Sequence, residues 1–271
     1  MSLGVLAHCF GKLPCAKLAE KIGRSGFSYV QLALTKALSD FDCGPGKLSP
    51  GLANTIAEQF ARHGVRIPVL GCYVNLLDSD RTQYRANIDR FKEHVRHARH
   101  FGAAIVATES GVPAPGTDFA QNWQRLKEAV EEIAEEAEKW GIIVGLEAAN
   151  NHLIGSPAAL AELLRQVPSS MLGVVFDPCN VLTKDNVAEQ DLVMQEAFAQ
   201  LGERMVSLHA KDVVVEKDGT LRIAAAGKGH LNYALFLKLA NEYKPHIYIT
   251  LERLAESEMA YSRDFIKKLR R

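Results

Sequence analysis

The sequence predicts an α/β protein folded as a single (β/α)8 TIM barrel spanning residues 1–271. Three observations predict it. Short apolar runs alternate with stretches of helical periodicity about eight times, the pattern of parallel strands covered by helices. No linker or shift of composition interrupts the alternation, and 271 residues suit one closed barrel. The later runs each end in a charged or imidazole side chain, at the end where a barrel opens its ligand-binding face. An open doubly wound sheet is the competing arrangement, but no GxGxxG follows an early strand.

Leu3 to Ala7 is a first apolar run, stopping at His8. Leu13, Ala16, Ala19 and Ile22 then recur at helical spacing before Gly23 and Gly26. Tyr29 to Leu34 is the second run, and Asp42 to Pro50 is a loop by its Gly and Pro content. Ser49 caps a helix whose inner face is Leu52, Ile56 and Phe60, closed by Gly64. Arg66 to Val74 is the third strand and runs out at Asn75. A long helix covers Arg81 to Phe101, with Ile88, Phe91, Val95 and Ala98 on one side. His63, His94, His97 and His100 lie on helices or their ends and are expected to face solvent. Ala104 to Thr108 is the fourth strand, ending at Glu109, and Ser110 to Asp118 is a loop.

Trp123, Leu126, Val130, Ile133 and Ala137 mark the next helix, closed by Gly141. Ile142 to Leu146 is the fifth strand, ending at Glu147. Ser156-Pro157 starts a helix, with Pro at the first helical position. The stretch Leu172 to Asn180 holds the sixth strand, unbroken in apolarity until Asp177 and stopped by Pro178. A helix over Val187 to Leu201 leads to Met205 to Leu208, the seventh strand, ending at His209. Val213 to Ile223 reads as a strand–turn–strand excursion around Asp218-Gly219. Ala225 to Tyr233 is a Gly-containing loop. Ile247 to Leu251 is the eighth strand, ending at Glu252, and a last helix follows.

Bulk composition excludes several function classes. Lys plus Arg and Asp plus Glu each number 32, so no basic face for nucleic acid is indicated. No apolar run reaches membrane-spanning length, and the N-terminus has no basic leader with a long apolar core. The five cysteines are irregularly spaced, without CxxC, which points to free thiols and a reducing cytoplasm.

The strand ends carry the functional argument. Two Glu, an Asp and a His on consecutive strands converge on one face of a barrel. Charges do not gather this way without a partner, because repulsion and desolvation are costly. A divalent cation resolves the conflict, and oxygen-rich ligation with one imidazole suits Mn, Mg or Co, with Zn also compatible. Taken singly, each residue has an ordinary structural reading, such as an ion pair of Glu252 with Lys211.

Val144 to Glu147 (VGLE), Phe176 to Asn180 (FDPCN), Ser207 to Asp212 (SLHAKD), Ala226 to Tyr233 (AGKGHLNY) and Thr250 to Glu252 (TLE) resemble the xylose isomerase-like barrels. The nearest group is that of the sugar phosphate isomerases and epimerases. The resemblance covers essentially the whole chain and specifies the superfamily better than the substrate. It implies that Glu147, Asp177, His209 and Glu252 are the metal ligands, and that Glu147 and Glu252 are also the acid/base pair. Ketose 3-epimerases carry a His three residues after the sixth-strand Asp, and Asn180 stands here instead. That departure favours a branch with a different substrate. Glu109, Asn180, Lys211, His230, Asn75 and His8 are the expected substrate contacts, while His152 reads as surface.

The resemblance implies proton transfer next to a carbonyl through an enediolate, on a sugar or sugar phosphate. A dehydratase on the same scaffold, with His230 as acid, is the alternative. A related abasic-site endonuclease needs more histidines and a basic face. A non-catalytic sugar binder has no use for opposed bases. For a phosphate, Lys211, Lys228 and the backbone of Gly227 to Gly229 are the sequence's candidates. The expected partner is a small carbohydrate, with no nucleic acid or membrane, and a homo-oligomer is compatible.

Overall fold

The computed structural model describes residues 2–270, and for Ser2 the backbone alone. Eight parallel strands close a barrel: β1 (Ser2–Leu6), β2 (Tyr29–Leu32), β3 (Arg66–Gly71), β4 (Ile105–Glu109), β5 (Ile143–Glu147), β6 (Leu172–Phe176), β7 (Met205–Ala210) and β10 (Tyr248–Leu251). Between the last two, β8 (Asp212–Val215) and β9 (Leu221–Ala224) form the expected antiparallel hairpin. Strand neighbours follow chain order around the barrel, with β1 closing on β10. The outer layer holds α1 (Cys15–Arg24), α3 (Pro50–Ala61), α4 (Arg81–His97), α5 (Phe119–Trp140), α6 (Pro157–Gln166), α8 (Gln190–Leu201), α9 (Tyr233–Tyr243) and α10 (Met259–Leu269), while the single turns α2 (Leu34–Ala37) and α7 (Pro178–Val181) follow the ends of β2 and β6 at the barrel mouth.

Local chemistry sets most helix starts. Ser49, Asp80, Asp118, Ser156 and Asn232 each accept a hydrogen bond from the backbone N–H three residues on, satisfying a donor the helix leaves orphaned. Gly141 ends α5 at φ 60, a left-handed geometry that glycine adopts without strain. Leu126, Val130, Ile133 and Ala137 bury the inner face of α5, as their spacing predicts.

The core has two parts. Val69, Ile105, Ala107 and Val175 fill the barrel interior, and the larger cluster joins the strands' outer faces to the helices. Inside the barrel, Gly4 leaves the room that the Tyr29 ring occupies.

Three expectations are corrected. His94 is 3% exposed rather than solvent-facing, and its Nδ1 lies 2.9 Å from the Arg90 carbonyl oxygen. It falls on the apolar stripe of α4, three residues after Phe91, and is buried with it. Neither His97 nor His100 is fully exposed. Strand β7 continues through His209 to Ala210, so His209 sits inside the strand, in register with Thr250 of β10.

Candidate active site

Strand register places the polar residues. Glu109 on β4 pairs with Glu147 on β5, and Thr250 on β10 pairs with His209 on β7. Side chains alternate across a strand, so Gln31, Glu147, Ser207 and His209 share the inward face with the interior cluster. Asp177 ends β6 and also caps the short α7 through a 2.8 Å bond from Cys179 N.

These ends enclose a cavity of about 640 Å³, a size suited to a small molecule. His8, Glu109, Glu147, Asn180, Lys211 and Glu252 line it, with Lys36, Tyr73 and Arg253. Asp177 and His209 are the buried residues beside its floor, at 1% and 0% exposure. One ligand atom from each of Glu147, Asp177 and His209 lies within 4.8 Å of the others.

His209 Nε2 lies 2.9 Å from Gln31 Oε1, and Gln31 Nε2 donates to the Tyr73 hydroxyl at 2.5 Å. The amide oxygen therefore faces the imidazole and receives its Nε2 proton. Nδ1 faces the acids, 3.3 Å from Glu147 Oε1 and 3.5 Å from Glu252 Oε2. It makes no hydrogen bond of good geometry, and the same is true of Asp177 Oδ2. Asn180 donates to Glu147 Oε1 at 2.7 Å and accepts from Lys211 Nζ at 2.5 Å. Lys211 also donates to Glu252 Oε1 at 2.5 Å and lies 3.0 Å from Asp177 Oδ2. The Asn180 amide thus bridges one glutamate to the lysine that holds the other.

Crowding moves the acids in opposite directions. Burial pushes Asp177 up to about 7, against the pull of Lys211, and the charges of Glu252 and Glu147 add to the rise. Burial alone lifts Glu252 as well, but Lys211 and His209 outweigh it and hold the carboxyl at about 2. Glu147, Glu252 and Asp177 raise His209 to about 9, overcoming its burial. Burial, then Glu147, raises Glu109.

Several expectations do not meet at the cavity. Asn75 braces a loop, accepting from Leu77 N at 3.1 Å and donating to the Val112 carbonyl, and does not line the cavity. His230 is exposed, and its Nδ1 accepts from Val215 N at 3.1 Å on the hairpin. His152 is not free surface: Gly111 N donates to its Nδ1 at 3.0 Å, and its Nε2 lies 3.6 Å from Glu109 Oε2. Lys228 is spent on Glu258 at 2.9 Å. Gln31, Tyr73, Lys36 and Arg253 were not anticipated. Only Gln31 left a sequence signal, as the one polar residue in the run Tyr29 to Leu34 that precedes its threonine-bearing turn.

Comparison with known proteins agrees with the fold. The sequence profile of the family described as "Xylose isomerase-like TIM barrel" matches residues 18–269. The uncharacterized protein MJ1311 of Methanocaldococcus jannaschii is 24% identical, covering 93% of this chain and 89% of its own length. A D-tagatose 3-epimerase-like protein superposes with a TM-score of 0.79 at 20% identity, over 99% of this chain and 97% of its own. The IOLI protein, crystallised with a bound zinc atom, superposes at 0.76 and 16% identity, over 99% and 96%.

Proposed function

The chain belongs to the xylose isomerase-like TIM barrel family, and we propose that it is a divalent-metal-dependent isomerase or epimerase acting on a carbohydrate. It would move a proton at a carbon next to the carbonyl, and the whole chain would serve as one barrel domain. The observation that carries this reading is a pair of buried atoms that make no hydrogen bond, His209 Nδ1 and Asp177 Oδ2, each left with ion-pair contacts alone, the first to Glu147 and Glu252 and the second to Lys211. Buried polar atoms are rarely left without partners, and these two face the carboxylates of Glu147 and Glu252. That donor set fits a hard or borderline cation. Glu147, Asp177, His209 and Glu252 would hold it, with Mn, Mg or Co the best match and Zn compatible. When bound, such an ion supplies Lewis-acid stabilisation of negative charge on the substrate oxygens.

The residues of the chain do the remainder. Gln31 fixes the His209 tautomer so that Nδ1 points into the site. Glu147, oriented by Asn180, and Glu252, oriented by Lys211, form the acid/base pair. One takes the proton from carbon and the other returns a proton, to the opposite face or to the neighbouring carbon. The likeness to an epimerase-like protein and to a zinc-holding barrel supports the reading. The alternative, a metal-dependent dehydratase on the same scaffold, would use the same metal and base but would need an acid other than His230, whose Nδ1 is engaged on the hairpin.

The test is proton NMR in heavy water, with Mn-loaded protein and a panel of ketoses, 2-keto acids and ketose phosphates. The reading expects metal-dependent loss of signal at a carbon next to the carbonyl, absent in Glu147→Gln. Exchange that persists undiminished in Glu147→Gln overturns the assigned roles. The carbon that exchanges distinguishes epimerase from isomerase.

A further inference from the structure

Cations around the cavity fall into two groups. Lys211 is committed to Asn180 and Glu252, and Lys228, outside the cavity lining, is committed to Glu258. Both sequence candidates for an anion site are thus already engaged. Lys36 on α2 and Arg253 just after β10 line the same cavity and are exposed. Among the described residues, no carboxylate lies within ion-pair distance of either. Glu109, the other acid lining the cavity besides Glu147 and Glu252, has His152 as its ion-pair partner at 3.6 Å.

Both cations are held in place by something other than a counter-ion. The Lys36 ammonium rests 4.6 Å from the centroid of the Tyr73 ring, a cation–π contact that keeps it beside the cavity. Arg253 has φ 54, the one positive φ among the described non-glycine residues. An arginine gains nothing from that backbone, which glycine or asparagine adopts more readily. The turn follows directly on Glu252 and makes Arg253 part of the cavity wall. Such local strain points to function at the side chain it presents. The two groups come from neighbouring parts of the rim, since the strands they follow, β2 and β10, flank β1 on either side, and His8 lines the same cavity between them.

We propose that Lys36 and Arg253 form an anion subsite, and that the natural substrate is a carbohydrate carrying a phosphate or carboxylate away from its reacting carbon. This rests on the reading of the cavity as a carbohydrate site. The floor supplies the acids for proton transfer, and the rim supplies the charge that recognises the far end of the substrate. Arginine and lysine both suit such an oxyanion, the guanidinium by paired donors and the ammonium as a point charge.

The test is titration calorimetry with three matched compounds: a ketopentose, its terminal phosphate, and the keto sugar acid with a terminal carboxylate. Each is titrated into Mn-loaded and metal-free protein, in the natural chain and in Lys36→Gln and Arg253→Asn. Asparagine keeps the left-handed turn easy, so the second variant probes the charge and not the backbone. The natural chain should bind one anionic compound at least about tenfold more tightly than the neutral sugar, and each variant should erase most of that preference. A stronger phosphate response identifies a sugar phosphate, and a stronger carboxylate response identifies a sugar acid. Equal binding of all three, or a preference that survives both variants, overturns the subsite. Rim-dependent anion preference without any proton exchange leaves the subsite standing and removes the proposed reaction. Proton exchange without anion preference does the reverse.

Discussion

The α4–α5 seam and the barrel mouth both gather charge, and they settle it differently. At the seam, Glu132 receives both terminal nitrogens of Arg85 at 2.6 and 2.8 Å and Lys92 at 2.7 Å. Glu136 beside it takes Arg96 Nε at 2.6 Å and Trp140 Nε1 at 3.0 Å. Each acid there has bases of its own, and the hydrogen bonds from Arg85 hold Glu132 at about 2. At the mouth, three carboxylates share Lys211 and one imidazole, and two of the atoms involved, His209 Nδ1 and Asp177 Oδ2, make no hydrogen bond under full burial. The seam is an arrangement for stability. The mouth keeps a local electrostatic cost that an added cation would relieve.

The difference can be broken by substitution. Glu147→Gln removes a like charge from the mouth, so the folded protein should melt no earlier than the natural chain. Its proton exchange should fall by about 10²- to 10⁴-fold. Activity within a few-fold of the natural chain would show that the crowded acids are not the reacting pair.

A second effect comes from the buried side of α4. Burial, then Arg90, lowers His94 to about 4 from its ordinary 6.5. The folded state therefore disfavours the proton that the unfolded chain accepts. The stability this represents is fully present above pH 6.5 and is lost as the pH falls toward 4, up to about 3 kcal/mol. Denaturant melts across that range, compared with His94→Phe, should show the slope diminished in the variant. An equal slope in both would place the acid sensitivity elsewhere.

Gln31 sharpens the account of the mouth. Gln31→Leu frees the His209 ring from its orientation, and divalent-metal affinity should drop about 10- to 100-fold by calorimetry. A change below twofold would detach Gln31 from the site. The smallest effect belongs to the seam. Glu132 is about one-third exposed, so Glu132→Gln should cost under about 1 kcal/mol, with activity unchanged. A loss of several kcal/mol would mean the seam is less like a surface network than its exposure indicates.

Much of the site was legible because a parallel barrel strand is nearly all apolar until it emerges. Glu147, Asp177 and Glu252 interrupt or end such runs, and all three meet at the mouth. What sequence could not supply was pairing across the barrel. Gln31 reaches His209 across 178 residues of chain, a contact set by register and strand alternation. Nothing in the sequence singles out Lys36, and only its place above Tyr73 gives it meaning. Arg253 depends on a backbone angle. His230 misled because its motif sits beside a hairpin whose backbone takes the ring. The burial of His94 was readable, since Phe91 and Ala98 bracket it at helical spacing.

The most direct test of the central claim is thermal melting of chelator-treated protein, with and without added Mn or Zn. A cation that binds only the folded mouth at a hundred times its dissociation constant should raise the melting temperature by roughly 5 °C. His209→Ala and Asp177→Asn should lose that rise. A melting temperature indifferent to divalent cations, with no metal retained by the natural chain, would contradict the claim that the mouth is built to hold one.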